Sequence, residues 1–562
     1  MVQSNARIVA PARRRLRMAV LLGLIVAAAC SNPGPTPQQL AEARSRLAKR
    51  WLFVWRDMAD PKEVDRMIAR FPEAAAAGYN GVAFPYDVAR DKGEALKAAA
   101  AASRLDLVAV VMNRIHDHNY AEGVLSKDAV FVVQNGVAAL LPDRPAVENS
   151  GFEAAQGDRL EGWSLQDDPG VTTFVDRQIA HGGKASLRIE NVGGNSGRHG
   201  RVMQSIRLTP HRQYRISFWL RTENLTPVKA EVMVLSDVGR VPISFQTFRA
   251  APTQDWTRYD IVFNSLEHPR VSLYLGSWNG RDGRMWWDDV EVEEIGLVNV
   301  LRRPGTPVTV RGEKGLTYEE GRDFDRIVDP NLNPWTAFHP SMPIRLTPHT
   351  RVKDNERLFV SYYHPLVMFA DRITMCLSED KVFDDWRAEV SYANDVFRPR
   401  AFLMSHDEIR VANQCALCQS HRQTPGQLLA WNVRKAAAIV RDARPDAEIW
   451  VWSDMFDPMG NAVDQYYAAN GSFKGSWEGL DKDVGIVNWQ GLLFKGNARF
   501  FADRGLKQIL AGYYDQDENG TGIAGWLDDT ATTPGIVGAM YTTWDDRYAA
   551  MGTWARQAWG ER

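Results

Sequence analysis

Neither sign of charge dominates this chain: across 562 residues, 67 Lys and Arg stand against 69 Asp and Glu, a net charge of −2. No sustained basic stripe is present either, which removes the electrostatic basis for a nucleic-acid partner. Long apolar runs are equally scarce. The one candidate, Met18 to Ala29, has 12 residues, whereas spanning a bilayer takes about 20, so no permanent transmembrane helix is predicted. Cysteine occurs only at Cys30, Cys376, Cys415 and Cys418. What is present argues for a folded protein, because a chain that is 45% hydrophobic can bury a large core and is not disordered. Its 19 Trp, 22 Phe and 16 Tyr are a heavy aromatic load, and such rings either fill cores or stack on sugar faces. At roughly 150 residues per domain the length suggests three or four units, although one (β/α)8 barrel takes about 250 residues alone.

Arg13, Arg14, Arg15 and Arg17 precede the apolar run, and Ser31, Asn32, Pro33 and Gly34 follow Cys30. This is a signal-peptide layout over residues 1–29, with a polar spacer over 30–50. The stretch Ala27-Ala28-Ala29-Cys30 resembles the bacterial lipobox. That resemblance implies lipidation of Cys30, a membrane partner reached through the lipid anchor, and a place in the bacterial cell envelope, with Ser31 pointing to the outer membrane. An ordinary cleaved signal peptide and a twin-arginine signal are the alternatives. With Cys30 used as an anchor, an odd number of cysteines remains. Cys415-x-x-Cys418 reads as a disulfide, or with Cys376 and His421 as a structural zinc site. Plain or disulfide-bonded cysteine is favoured, because no second C-x-x-C pair completes a zinc pattern.

After the spacer, short apolar runs alternate with amphipathic stretches, the pattern of successive βα units. Trp51 to Arg56, Tyr79 to Phe84 and Leu105 to Met112 read as strands one to three. Asp60, Pro61 and Glu63 predict a capped helix start whose buried stripe is Val64, Met67, Ile68 and Phe71. From Asn149 to Gly296 the period changes to two, as in Tyr214 to Leu220 and Val271 to Leu275, which predicts an antiparallel sandwich. A smaller β-type segment continues to about Leu358, followed by one strand, Phe359 to Tyr363, with no assigned place. Alternation then resumes in Phe402 to Glu408, Glu448 to Ser453, Val484 to Trp489, Gln508 to Asp515 and Val537 to Trp544. A capping box at Thr424 and Gln427 starts one of the intervening helices. Three strands plus five predict an α/β fold, a (β/α)8 TIM barrel interrupted after strand three by a β-sandwich (jelly roll) insertion and a small β segment. The predicted units are barrel over 51–145 and 359–562, sandwich over 146–297 and small segment over 298–358.

Such barrels place their chemistry at the C-terminal ends of the strands. Those ends carry Trp55-Arg56-Asp57, Ser405-His406-Asp407-Glu408, Trp452-Ser453-Asp454, Asn488-Trp489, Tyr513-Tyr514-Asp515 and Trp544-Asp545-Asp546. Each alone is as readily a solvated acid or a rim aromatic; together they make a sugar pocket with acid chemistry. Adjacent Asp407 and Glu408 are the sharpest element, since two close carboxylates do not both ionise easily and one can keep a proton as general acid. Acids welcomed at a helix N-terminus are the bland alternative, which leaves the three tryptophans unexplained.

On these residues the barrel resembles glycoside hydrolase family 20, the β-N-acetylhexosaminidases. The resemblance implies Glu408 as the acid that protonates the glycosidic oxygen and Asp407 as the group orienting the substrate's 2-acetamido function, whose carbonyl oxygen attacks the anomeric carbon. It implies Trp452, Trp489 and Trp544 as the indoles around the acetamido methyl. It further implies Tyr513 and Asp515 as the strand-seven grip on the acetamido carbonyl and the sugar, Arg56 as a ligand for sugar hydroxyls, and Asp546 where the family usually has Glu. No cofactor is implied for catalysis.

In the insertion, Asn149 to Glu153, Trp163, Gly183 to Leu187 and Trp286 to Val290 resemble the jelly-roll carbohydrate-binding modules of the family 4 and 9 type. The likeness implies Glu153 and Asp289 as candidate oxygen ligands of a structural calcium. His116-Asp117-His118 has metal spacing without a third ligand, so a loop rim or a sugar contact is favoured. Trp477-Glu478 either extends the sugar site or closes a loop. The leading expectation is an envelope glycosidase acting on a glycan or oligosaccharide. The alternatives are a retaining enzyme with Asp515 as nucleophile and a non-catalytic glycan-capture lipoprotein.

Overall fold

The computed structural model describes residues 34–560 except 168, 191–198, 248, 279, 281, 334–337, 370–371 and 490–493. The signal-peptide segment and Cys30 lie outside the described residues. Among the described residues no helix is long and apolar enough to cross a membrane.

Eight parallel strands close into a barrel: β1 (Lys49–Phe53), β2 (Gly81–Pro85), β3 (Asp106–Val111), β4 (Ala401–Met404), β5 (Glu448–Trp452), β6 (Val484–Asn488), β7 (Gln508–Leu510) and β8 (Ile536–Tyr541). The ring is sealed where Lys49 to Leu52 of β1 pair with Gly538 to Tyr541 of β8. Its interior is a packed core of Trp51, Phe53, Val108, Val110, Leu403, Trp450, Trp452, Ile509 and Met540, not a pore. Outside it run amphipathic helices such as Pro61–Ala76, which buries Val64, Met67 and Phe71, and Pro425–Ala443. The Thr424–Gln427 capping box forms in both directions. At Asp60 only half of the expected box forms: Asp60 accepts the Lys62 amide, while Glu63 turns to Arg66 at 2.7 Å and faces Arg56 at 3.9 Å. The two guanidinium groups outcompete a single backbone amide for that carboxylate.

The strands are shorter than their apolar runs suggested, so Glu408, Asp515 and Trp544 stand on loops beyond β4, β7 and β8. Those loops fold back over the barrel mouth and bury aromatic side chains there, which gives them a strand-like composition. Tyr513 and Asp515 are therefore not paired on one strand face as their spacing implied.

Between β3 and β4 the chain builds two nested units and then the helix Asp380–Val396, which completes the crossover back to the barrel. The outer unit is a six-stranded sheet in the order Thr317–Tyr318, Thr309–Gly312, Arg357–Pro365, Gly123–Gln134, Val137–Leu140, Ile344–Arg345. This gives the Phe359 to Tyr363 run its place and shifts the expected boundaries: 123–140 and 359–365, read as barrel, belong to this sheet. The hairpin between Gln134 and Val137 turns on Asn135 and Gly136, both at positive φ (52° and 76°), the geometry that an Asn-Gly pair favours. The inner unit is the sandwich, two five-stranded antiparallel sheets. Its period-two strand Gln213–Thr226 sends Tyr214, Ile216, Phe218 and Leu220 inward, each no more than 1% exposed.

Candidate functional site

The loop leaving β4 turns sharply at Glu408, whose φ is +50°, and the turn is fastened from the neighbouring strand: the Glu408 amide donates to Asp454 Oδ2 at 2.8 Å. Asp454 follows β5 and is fully buried. It also accepts Asn461 Nδ2 at 2.7 Å and, on Oδ1, the indole N–H of Trp489 at 3.1 Å. Burial, reinforced by the nearby charge of Asp407, pushes the Asp454 carboxyl up to about 8. Asp407 is likewise raised, first by burial and then by Glu408 beside it. Three carboxyl groups thus crowd one corner of the barrel mouth. Two were expected; Asp454 was not singled out, because Trp-Ser-Asp at the end of β5 looked like every other strand end.

Glu408 is held by two arginines. Arg372 donates to its Oε2, and Arg410 Nη2 lies 2.7 Å from Oε1. Arg410 is 5% exposed, lying over the Phe369 ring at 4.4 Å and the Tyr467 ring at 5.3 Å. Neither arginine carries a local sequence signal, since Arg372 comes from the chain returning out of the small sheet. His406, just before the pair, turns away to Asn432 Oδ1 at 3.0 Å, and burial lowers its imidazole to about 4, so it stays neutral and structural.

Beside the carboxyl groups the aromatics form a continuous wall. Trp452 lies 6.5 Å from Trp544 and 5.7 Å from Phe53; Tyr513 stacks on Trp544 at 5.6 Å. Trp489 and Trp544 pack half-buried on the barrel core. Burial and the Asp515 charge raise the Tyr513 phenol to about 12, which keeps it a hydrogen-bond donor. Trp55, stacked on Phe53 at 5.9 Å and 39% exposed, extends the wall outward. Arg56 and Asp546, expected separately, form an ion pair at the rim.

Asp515 has a task beyond the expected contacts. It is 2% exposed, and its oxygens accept the Thr543 hydroxyl, the Trp544 amide at 2.9 Å and the Asp545 amide at 3.1 Å. It holds the loop that carries Trp544, with two donors on Oδ1 and one on Oδ2.

The other motifs resolve individually. His116 bonds Glu389 Oε1 at 2.7 Å, a contact that raises the imidazole, while Asp117 caps a short turn at Asn119, so the triplet is a rim and not a metal set. Trp477 packs against Phe500 on the outer layer, so Trp477-Glu478 closes a loop. In the sandwich, Glu153 and Asp289 reach the same Gly182–Gly183 turn, but Glu153 Oε1 accepts the amides of Lys184 and Ala185 at 2.8 and 3.2 Å, and Asp289 lies 2.6 Å from His181 Nδ1. Neighbouring Asp288 accepts the His181 and Gly182 amides at 2.8 and 3.2 Å. These carboxylates fit a calcium only with those hydrogen bonds exchanged for metal contacts. His421 lies against Trp431 and does not join Cys415 and Cys418. The three described cysteines are free thiols gathered instead around Glu122.

The sandwich packs on this site. Its outer cluster of Met233, Phe245, Tyr274 and Trp278 receives Phe369, three residues before Arg372, and Met368 O accepts the Phe245 amide at 2.9 Å. Residues 145–281 match the CBM_4_9 family, a carbohydrate binding domain. Similar solved structures are "Family 16 Carbohydrate Binding Module-2" (18% identity, 26% of this chain and 97% of that one, TM-score 0.21) and "CBM4 structure and function" (19% identity, 26% and 99%, TM-score 0.22). A third is "Structure of TmCBM61 in complex with beta-1,4-galactotriose at 1.4 A resolution" (18% identity, 27% and 98%, TM-score 0.20). No curated protein matches the chain. The chain is a (β/α)8 barrel carrying a carbohydrate-binding module within its β3–β4 connection.

Proposed function

We propose that the protein is a glycoside hydrolase that removes a terminal β-linked 2-acetamido sugar by a substrate-assisted, retaining mechanism. The observation that supports this most is the meeting of Asp407 and Glu408 with the wall of Trp452, Trp489, Trp544 and Tyr513 at the barrel mouth. In this reading burial and the neighbouring Glu408 charge favour the protonated form of Asp407 in the free protein. When a glycan enters, Glu408 leaves its arginine partners, takes the proton from Asp407 and delivers it to the glycosidic oxygen as the acetamido carbonyl oxygen displaces the leaving group. The ionised Asp407 accepts the acetamido N–H, Tyr513 donates to the attacking carbonyl oxygen, and water then opens the cyclic intermediate and returns a proton to the pair. Arg56 and Asp546 bind sugar hydroxyls at the rim, and the carbohydrate-binding module holds the polymer beside the mouth. A structural calcium at Glu153 and Asp289 and an envelope location through lipidated Cys30 belong to the same proposal.

One observation favours a second reading. Both Glu408 oxygens are engaged by arginine, the arrangement expected of a barrel that captures glycan without cleaving it. Single-turnover hydrolysis of aryl 2-acetamido-2-deoxy-β-glycosides separates the two. Cleavage that falls about 10² to 10⁴-fold in Glu408→Gln supports the enzyme; glycan binding with no cleavage above background supports capture.

A further inference from the structure

We propose that Glu122, Cys376, Cys415 and Cys418 form a zinc site that fastens the inserted units to the loop carrying Asp407 and Glu408. The four side chains are buried, and their ligand atoms all lie within 4.8 Å of one another. Cys376 Sγ is 3.7 Å from Cys415 Sγ and 3.5 Å from Cys418 Sγ, and Cys418 Sγ is 3.3 Å from Glu122 Oε2. A disulfide would need about 2.05 Å. A tetrahedral zinc with sulfur at about 2.3 Å and oxygen at about 2.0 Å sets edges of roughly 3.8 Å between sulfurs and 3.5 Å between sulfur and oxygen. The three separations above fall within a few tenths of an ångström of those edges, and the remaining ones lie within 4.8 Å. Thiolates select zinc over calcium or magnesium.

The surroundings suit a metal-thiolate centre. Cys415 caps the helix Ala416–Ser420, and the Cys418 amide donates back to its sulfur at 3.4 Å. Ser378 Oγ donates to Cys418 Sγ at 3.2 Å. The Gln414 and Cys415 amides hold Glu122 Oε1 at 2.7 and 2.8 Å, which leaves Oε2 to face the sulfurs. Arg303, buried and anchored on Asn119 O, Ala121 O and Glu379, lies against the thiols and Glu122 and supplies a further positive charge. The placement gives the site its role. Glu122 stands where the chain leaves the barrel, Cys376 where it returns, and the two crossings bond each other through the Glu122 amide to Thr374 O and the Cys376 amide to Tyr120 O. Cys415 and Cys418 lie on the β4 loop. One ion ties all three segments, independently of any glycosidase activity.

The test is elemental analysis and mass spectrometry of the full chain purified without added metal or chelator, followed by titration of the chelated chain with cobalt(II) alone. The expected results are about one zinc per chain, three thiols that react only after chelation, and an intense tetrahedral thiolate-cobalt spectrum. Glu122→Gln, which keeps the thiolates, should still give that spectrum with binding at least about tenfold weaker. A Cys–Cys disulfide in the purified chain, or a chelated chain that retains its fold and gives no thiolate-cobalt bands, overturns the proposal.

Discussion

The amide of Glu408 donates to Asp454 Oδ2 at 2.8 Å, so the residue proposed to move a proton is positioned from the end of the adjacent barrel strand. Asp454 is fully buried and also carries Asn461 and Trp489, which makes it a positioning residue. Asp454→Ala would strand three donors, each costing about 1 to 3 kcal/mol when left unpaired. The variant should lose several kcal/mol of stability in urea melts, whereas Asp454→Asn should lose much less.

The raised Asp454 carboxyl also fixes a pH dependence. An unfolded Asp titrates near 3.9, and the folded one at about 8. Between these values the folded chain holds a proton that the unfolded chain has lost. The corresponding stability is therefore complete below about pH 4 and lost as pH rises through about 8. Urea midpoints at pH 5 and pH 8 should show wild type weakening toward pH 8, and Asp454→Asn should flatten that fall. An unchanged slope in the variant would place the titrating group elsewhere.

The two arginines on Glu408 should differ in worth. Arg410 has a side chain 7% exposed and stacks between rings, whereas that of Arg372 is 34% exposed. Removing one partner of a buried pair costs about 3 to 5 kcal/mol, while exposed pairs are worth about 1 kcal/mol or less. Thermal unfolding of Arg410→Ala and Arg372→Ala should show this order, and equal losses would contradict it.

Calcium, if held by Glu153 and Asp289, should raise the melting temperature of the full chain by mass action, and Asp289→Ala should abolish the increase. An identical calcium response in that variant would move the ion away from this corner. For the anchor, Cys30→Ala should release the protein from membranes; retention after a salt wash would contradict lipidation at that residue.

The barrel was legible because strands buried on both faces leave continuous Val, Leu and Ile runs, as in Leu105 to Met112. The sandwich was legible because one-sided burial leaves a period of two, as at Tyr214 to Leu220. The hairpin over 123–140 is hidden in sequence although Asn135-Gly136 between apolar runs is a strong turn signal, because apolar runs directly after the third barrel strand read as more of the barrel. Asp407, Glu408 and the indoles could be read because they follow the strands in sequence. Arg372 and Glu122 could not, because their partners are fixed by tertiary packing between segments far apart in the chain, and Arg410, only two residues beyond Glu408, is turned back onto it by the loop after β4. Asp515 has a second task the sequence did not show for a related reason: only the folded loop brings Thr543, Trp544 and Asp545 to its oxygens.

The central claim is that Asp407 and Glu408 work on a sugar that supplies its own nucleophile. The direct measurement compares wild type, Glu408→Gln and Asp407→Asn on matched aryl 2-acetamido and 2-hydroxy β-glycosides across a series of leaving groups. The predicted result is turnover of the acetamido substrates alone, a Glu408→Gln deficit that shrinks as the leaving group improves, and an Asp407→Asn deficit that does not. Efficient turnover of the 2-hydroxy glycosides with a covalent glycosyl adduct on the protein would contradict it.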